Sequence, residues 1–398
     1  MIKKWWKEFC ELFSVQLLMI KKWWKRFCEL FSVQLLVSLV VFACVAIVLI
    51  IYQERVTHFV NIRNNYTTQS EKEKFDALLE INKTIASIIG TFATVVGGIF
   101  LYLNFNLAKE KNATDKKLAE LKLVSERFSK ATEQLASDKS SARLGAIYAL
   151  ENIAKEHEDY HWIVIETLSA FIREGKNGYK ITLDCQSALS VIGRRNTNLD
   201  KGRIINLSGA NLRGAVFDEY ANFSKVYFNQ VDLRGAILDD VLLIGAVIIK
   251  SNLSGIQMQE ADLTGVRLQE VNLEGAILDN SYFGSSILNN VNFKNASLVH
   301  TFFIEKSTLE DVNFEGAKLY KAHFDNGTLT NINFQEATLI KINLSNVQLT
   351  NTSFVNRDLT GAILSGANLS NDDLENSTLC RTTMPNGSRN DSGCNKHR

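Results

Sequence analysis

Apolar side chains in the second half of the chain recur at a spacing of five residues. From Leu207 to Leu379 a leucine or phenylalanine stands at almost every fifth position, with Ile248 and Met258 as exceptions. The residue two places before each centre is often alanine, and the residue directly before it is often asparagine or aspartate. A period of five fits neither an α-helix nor a flat strand. It favours a coil with four short sides and one five-residue repeat on each side.

In such a coil the centre residue and the small residue point inward, and each corner needs an unusual backbone conformation. Glycine suits these corners because it adopts positive φ angles without steric cost. It is found at positions 209, 214, 235, 255, 265, 275, 361 and 366. Coils stack like neighbouring strands, about 4.8 Å apart, so a run of about nine coils predicts a rod of roughly 40 Å.

The phenylalanines provide an internal test, because residues on one side of successive coils should recur every twenty positions. They form two columns that face each other, with leucine columns between them. Two intervals of six residues, at 218–220 and 304–306, predict one extra residue that bulges outward. The predicted structural core includes Phe293, Phe314, Phe334 and Phe354 in one column, Phe283, Phe303 and Phe324 in the other, and the leucines Leu319 and Leu339.

Two uncharged segments in the first third predict transmembrane helices. No charge occurs between Phe31 and Tyr52, and about twenty apolar residues are enough to span a bilayer. The second segment, Thr84–Ala108, carries small residues at a spacing of four, which permits close helix packing. We expect spans at about 33–52 and 84–107 with the loop 53–83 between them. For the second segment, the alternative is a buried helix of a soluble protein.

The basic residues near these segments predict the topology. Seven precede the first span and seven follow the second within 109–130, whereas the loop 53–83 has five basic and five acidic residues. The positive-inside rule then places both termini in the cytoplasm and the loop outside. The expected partners therefore include membrane lipid.

The first 36 residues are two nearly identical copies of one string. MIKKWWKEFCELFSVQLL is followed by MIKKWWKRFCELFSVQLL, and only Glu8 and Arg26 differ. On a helical wheel one face is rich in tryptophan and phenylalanine and the other in lysine. This pattern is typical of a helix in the membrane interface. The alternative is a tandem duplication whose extra copy has no role.

The middle third, 109–203, is predicted to be a helical connector. Apolar residues recur at spacings of three and four over 107–136, which indicates an amphipathic helix able to self-associate as a coiled coil in a homo-oligomer. Ser141–Ala154 and His161–Glu174 predict a helix pair similar to a HEAT repeat, joined by Lys155–Tyr160. The repeats then occupy 204–380, and 381–398 is expected to be a flexible tail.

Composition narrows the possible functions. The 44 basic and 43 acidic residues nearly cancel, so no nucleic-acid partner is expected. A single proline in 398 residues disfavours an enzyme built on long irregular loops. Six cysteines without a CxxC pair argue against a disulfide scaffold or a cysteine zinc site and fit a reducing compartment. Cys380 and Cys394 are therefore expected to be free thiols, and no cofactor is expected.

One short motif suggests chemistry. Residues 157–161 read His-Glu-Asp-Tyr-His and match the H-E-x-x-H pattern of zinc hydrolases, in which both histidines bind the metal. His157 and His161 are thus the metal candidates, but Ile181 stands where a third ligand would be expected. The acidic run also resembles a solvated connection. Catalytic residues are not expected, and His300 and His323 should face solvent singly.

Residues 204–379 resemble the pentapeptide-repeat family, whose motif is A-(D/N)-L-x-x. The resemblance implies a right-handed quadrilateral β-helix. Residues 126–195 are similar to the helical region that precedes the repeats in bacterial membrane-anchored members, which implies the plasma (inner) membrane. The family determines a shape and not an activity. The function we expect is a non-catalytic scaffold at the cytoplasmic face that binds a protein partner.

Two alternatives stay open. Some soluble family members resemble duplex DNA in shape and acidity and act on DNA gyrase. Residues 201–380 hold 20 acidic and 13 basic residues, a mild excess that a membrane anchor would keep away from DNA. The second alternative is the zinc hydrolase suggested by His157 and His161.

Overall fold

The computed structural model describes residues 46–48, 50–58, 60–61, 69–175 and 178–394. The duplicated segment 1–36 and most of the first predicted span lie outside the described residues, as do parts of the loop 53–83. The chain divides into two compact units, 1–121 and 122–398.

The N-terminal unit is helical wherever it is described. Residues 46–48, 50–58 and 60–61 are helical, and helix α1 runs from Gln69 to Leu135, 67 residues in all. Within α1, an 18-residue window has a mean hydropathy of 2.0 and none of it is buried. By length and composition, α1 is the one helix in the described part of the chain that could cross a membrane. The second predicted span and the predicted amphipathic helix are therefore parts of one continuous helix.

Three helices follow in the second unit: α2 (Ser140–Glu156), α3 (Glu158–Glu174) and α4 (Leu183–Gly193). A 3₁₀ turn spans Thr197–Asp200. Between α2 and α3 only His157 is not helical, so the predicted six-residue joint is wrong. Glu158 and Asp159 belong to the first turn of α3, where acidic side chains interact favourably with the helix dipole.

The repeats wind into a parallel β-helix, as predicted. Its longest sheet has the strands β1 (Tyr227–Asn229), β2 (Val247–Ile249), β3 (Arg267–Asn272), β4 (Ile287–Asn292), β5 (Thr308–Asn313), β6 (Thr328–Thr330) and β7 (Gln348–Thr350), in that order. Paired residues lie one coil apart, as in Leu268 and Leu288, and the step lengthens by one at Ile287 and Thr308. The inserted residue at 304–306 is thus accommodated without breaking the pairing.

Each coil has four walls, which we number in chain order. In one coil, the inward centres of walls 1 to 4 are Leu288, Phe293, Leu298 and Phe303, all fully buried. Stacked phenylalanines fill walls 2 and 4, with ring centroids 5.1 Å apart for Phe293 and Phe314. Phe283, Phe303 and Phe324 form the column of wall 4 at 4.6 and 4.8 Å. The two predicted phenylalanine columns on opposite walls are confirmed.

The corners depend less on glycine than the sequence suggests. Gly235 and Gly255 have positive φ angles, but Lys250, Glu270 and Asn331 adopt the same left-handed conformation. Non-glycine residues occupy that region at a steric cost. Inter-coil hydrogen bonds beside most of these corners, such as that from the amide of Lys250 to the carbonyl of Gln269 (2.9 Å), offset it.

The helical region covers the first coil of the β-helix. The amide of Asn222 donates to the carbonyl of Gly193 at the end of α4 (2.8 Å). A side chain at position 193 would lie 2.9 Å from the Cβ of Ala221, so glycine permits this close approach. One hydrophobic core runs from Ala131 in α1 to Leu374 in the second 3₁₀ turn, Asp372–Leu374.

The C-terminal segment, predicted to be flexible, forms a cap. Strands β8 (Thr382–Thr383) and β9 (Arg389–Asn390) pair in an antiparallel hairpin. Cys380 and Cys394 form a disulfide, so the prediction of two free thiols is wrong. The hairpin brings them together because it folds the end of the chain back onto the last coil. Cys185 is free and buried.

Replacing Phe314 by alanine should lower the free energy of unfolding by about 3–5 kcal/mol, because it leaves a cavity inside the phenylalanine column. The matched control is Ile287→Ala, since Ile287 points outward and is 44% exposed, whereas Phe314 is 0% exposed. We expect the control to cost less than about 1 kcal/mol. Chemical denaturation of the purified chain measures both, and equal losses would contradict the inward packing.

Breaking the disulfide with Cys394→Ser should destabilise the C-terminal cap by about 2–4 kcal/mol, because the unfolded cap regains chain entropy. Limited proteolysis should then cut within 381–394 faster than in the unaltered chain. A reductant should reproduce this effect in the unaltered chain and add nothing in the variant. Equal cleavage rates under oxidising and reducing conditions would show that the bond does not hold the cap.

The ion pair between α2 and the end of α4 predicts a pH dependence. The Arg194 guanidinium donates to both carboxylate oxygens of Glu151 (2.8 and 2.9 Å) and lowers the pKa of Glu151 from 4.5 to about 2, although burial opposes this. Because the pKa of Glu151 is lower in the folded chain, the ion pair stabilises the folded state above pH 4.5. This stabilisation is lost as the pH falls towards 2. In thermal unfolding, the melting temperature of Glu151→Gln should fall less on acidification than that of the unaltered chain. Identical pH profiles would contradict the assignment.

Candidate interaction surface

The two histidines of the H-E-x-x-H motif have separate structural roles. His161 is buried in α3, and its Nε2 lies 3.1 Å from Oδ1 of Asp200. His157 lies between α2 and α3, with its Nε2 3.9 Å from the Glu156 carboxylate. Across the described residues, no group of three or more His, Cys, Asp or Glu side chains is placed to hold a metal ion.

His161 belongs to a buried polar cluster that joins the helices to the β-helix. Arg195 donates through Nη2 and Nε to Asp200 (2.7 and 3.0 Å). Its Nη1 donates to the carbonyl of Ile192 and to that of Asn222 in the first coil. Buried charges need partners of this kind. The contact of His161 with this cluster therefore gives that residue of the H-E-x-x-H motif a structural role.

The predicted core residues are all inside the β-helix. Phe283, Phe293, Phe303, Phe314, Phe324, Phe334 and Phe354 are buried, and so are Leu319 and Leu339. Their side chains pack against other core residues. A surface for recognition must consist of the residues that alternate with them and point outward.

The outer face of wall 4 carries an aromatic row in three successive coils. Tyr282, Phe302 and His323 each stand directly before an inward phenylalanine and are half-buried. The ring centroids of Tyr282 and Phe302 are 6.1 Å apart, and those of Phe302 and His323 are stacked at 5.0 Å. We call these three residues the aromatic row.

A second pair of rings lies at the corner between walls 3 and 4. His300 and Tyr320 meet edge to face with centroids 6.1 Å apart. The ammonium groups of Lys321 and Lys341 lie 5.4 and 5.6 Å from the Tyr320 ring, and Lys341 Nζ donates to the Tyr320 hydroxyl (3.3 Å). His300 and His323 were expected to face solvent singly; both instead contact aromatic rings.

The opposite margin of the aromatic row is acidic. The Tyr282 hydroxyl donates to Oε1 of Glu305 (2.9 Å), a residue of the bulge at 304–306. Burial, and then the Glu305 carboxylate, raise the pKa of the Tyr282 phenol. On the next coil, Asp325 lies 3.3 Å from Nδ1 of His323 and accepts from Asn343 (3.0 Å). Lys321 and Lys341 border one side of the row, and Glu305 and Asp325 border the other, where Lys306 also stands next to Glu305 in the bulge.

This surface combines features that favour protein recognition. Aromatic side chains offer large contact areas at a small entropic cost, and they are enriched in protein interfaces. The charged margins would orient a partner with complementary charges. The signal was present in the sequence as aromatic residues at 282, 302 and 323, one coil apart, but only the folded coil shows that they touch.

Comparison with known proteins agrees with the fold. The family model described as pentapeptide repeats matches in eight copies, over residues 205–243, 227–265, 267–303, 304–336, 328–366 and 342–379. No curated protein matches the chain at the sequence level.

Several solved structures resemble part of the chain. HetL, a pentapeptide repeat protein involved in heterocyst differentiation regulation from the cyanobacterium Nostoc sp. strain PCC 7120, is 25% identical over 46% of this chain and 85% of its own, with a TM-score of 0.23. QnrB1, a plasmid-mediated fluoroquinolone resistance protein, is 15% identical over 40% of this chain and 90% of its own, with a TM-score of 0.23. A pentapeptide repeat protein from the Arabidopsis thaliana thylakoid lumen is 23% identical over 29% of this chain and 64% of its own, with a TM-score of 0.16.

Proposed function

We propose that the protein is a non-catalytic interaction scaffold anchored in a membrane, and the premise is that residues 205–379 match the family model described as pentapeptide repeats. The observation that carries the scaffold role is the aromatic row of wall 4 with its charged margins. Solenoid proteins commonly use extended outer surfaces of this kind to bind partners.

The anchor is supported by α1, whose apolar window is exposed in the free chain. Such a surface is costly in water and favourable in a lipid bilayer. Val48 and residues within 51–56 line a common cavity of about 250 Å³ with residues within 79–89 of α1, so the two segments lie side by side. This adjacency supports a hairpin of two membrane helices.

The side of the membrane is a separate part of the proposal. The basic residues before the first span and after the second favour cytoplasmic termini. The disulfide between Cys380 and Cys394 argues against a cytoplasmic C-terminus, because disulfides seldom persist in a reducing cytosol.

Reporter fusions test the topology. A reporter that is active only in the cytoplasm should be active when fused after residue 394 and inactive when fused at residue 70. An inactive C-terminal fusion together with an active fusion at residue 70 would place the β-helix outside the cytoplasm.

Site-specific photocrosslinking in native membranes tests the scaffold role. A photoreactive phenylalanine analogue at position 302 should give a crosslinked adduct, because the aromatic row would face the partner. The matched control is the same analogue at position 328, which points outward from wall 1. An adduct of twice the mass of the chain would identify the partner as a second copy.

The adduct should also depend on the charged margins. With the analogue at 302, Lys321→Glu combined with Lys341→Glu should reduce its yield several-fold, because the basic margin becomes acidic. Equal adducts from positions 302 and 328, or none from either, would contradict wall 4 as the interaction surface.

A further inference from the structure

Walls 2 and 3 are held together by a regular ladder of main-chain hydrogen bonds between coils. On wall 2 the amide of Phe293 donates to the carbonyl of Asn313 (2.7 Å), and that of Phe314 to Asn333 (2.8 Å). On wall 3 the amide of Leu319 donates to the carbonyl of Thr338 (3.0 Å). Each coil therefore repeats the bonds of the coil before it.

The main-chain ladder stops for one step, between residues 332–339 and 353–358, although the amide of Ile332 still donates to the hydroxyl of Thr352 (3.2 Å). By the pattern, Phe334, Glu336 and Leu339 should donate to the carbonyls of Ser353, Val355 and Asp358, and the amides of Ser353 and Asp358 should donate back. None of these five bonds is present among the hydrogen bonds of the described residues. A polar cavity of about 480 Å³ lies beside the gap on wall 2, lined in part by Asn331, Asn333, Gln335, Asn351, Ser353 and Arg357. We call this break the open seam.

The other two walls of the same pair of coils remain closed. On wall 1, β6 pairs with β7 through Leu329 and Leu349. On wall 4, the amide of Leu344 donates to the carbonyl of Ile363 (2.8 Å). Beyond the seam the ladder resumes, as the amide of Leu359 donates to Thr378 (3.0 Å). Two adjacent walls thus lack their ladder bonds at this step and the other two keep theirs, while the rings of Phe334 and Phe354 stay stacked across it at 5.2 Å.

Arg357 provides the physical cause. It occupies the corner position, two residues before a wall 3 centre, where preceding coils have Ala276, Ala296, Ala317 and Ala337, all buried. A guanidinium cannot enter that apolar corner without a large desolvation cost. Arg357 instead stays half-buried, and its Nε donates to the carbonyl of Val355 (3.2 Å). The ladder to the preceding coil is lost at this corner.

We propose that the β-helix opens along this seam, with walls 1 and 4 acting as the hinge, and so exposes core residues of walls 2 and 3. The step lacks five ladder bonds that other steps of walls 2 and 3 have, so local opening costs less there than at those steps. Opening would expose Phe334 and Leu339, which are buried in the closed form. This conformational device does not depend on the proposed membrane anchor or scaffold role.

Cysteine accessibility tests the opening. Leu339→Cys and its matched control Leu319→Cys both replace fully buried wall 3 centres one coil apart. The background is the full chain with Cys10, Cys28, Cys44 and Cys185 replaced by alanine. We expect maleimide to label position 339 at least tenfold faster than position 319 under native conditions. Equal labelling rates would overturn the proposal.

A second substitution tests the cause. Adding Arg357→Ala to the Leu339→Cys chain should slow labelling at least several-fold and raise the melting temperature, because the corner can close. Arg234→Ala, which removes an outward arginine paired with Asp232, should change neither. Fast labelling that persists after Arg357→Ala would show that Arg357 does not cause the opening.

Hydrogen exchange gives a measurement that needs no cysteine. In the unaltered chain, a peptide covering 332–340 should exchange at least tenfold faster than one covering 312–320. Arg357→Ala should bring the two rates together. Equal exchange in the unaltered chain would mean that the ladder is intact in solution.

Discussion

The width of the coil interior is the constraint on which the rest of this structure depends. Each wall has room for one large side chain, and each corner has room for a small one. Phenylalanines on walls 2 and 4 satisfy this limit because their rings stack at 4.6 to 5.5 Å, close to the spacing of neighbouring strands. Rings on facing walls meet edge to face, as Phe303 and Phe314 do. The core is therefore continuous along the axis.

The same limit explains where the backbone is regular and where it is not. Residues such as Lys250 and Glu270 adopt a left-handed conformation that their side chains disfavour, because the corner geometry of a closed coil requires it. The ladder bonds beside these corners stabilise this arrangement. At Arg357 the side chain exceeds the space inside the corner, and the ladder itself gives way. Local strain is tolerated, whereas a buried unpaired charge is not.

The ends of the β-helix pose a different problem, since a coil without a neighbour would expose its core and its ladder groups. At the first coil, α4 and the buried cluster of His161, Asp200 and Arg195 supply the missing contacts. At the last coil, the hairpin of β8 and β9 and the disulfide do so. The helical region and the C-terminal segment thus complete the core.

The sequence by itself determined the architecture of the repeats, the buried columns and the two one-residue insertions, because a period of five records which side chains point inward. It did not reveal the aromatic row of Tyr282, Phe302 and His323, the disulfide or the open seam. Each of these depends on distances between residues that are ten or more positions apart. Such distances arise only when the coils stack and the end of the chain folds back. The meaning of Arg357, too, follows only from the alanines that occupy the same corner in neighbouring coils.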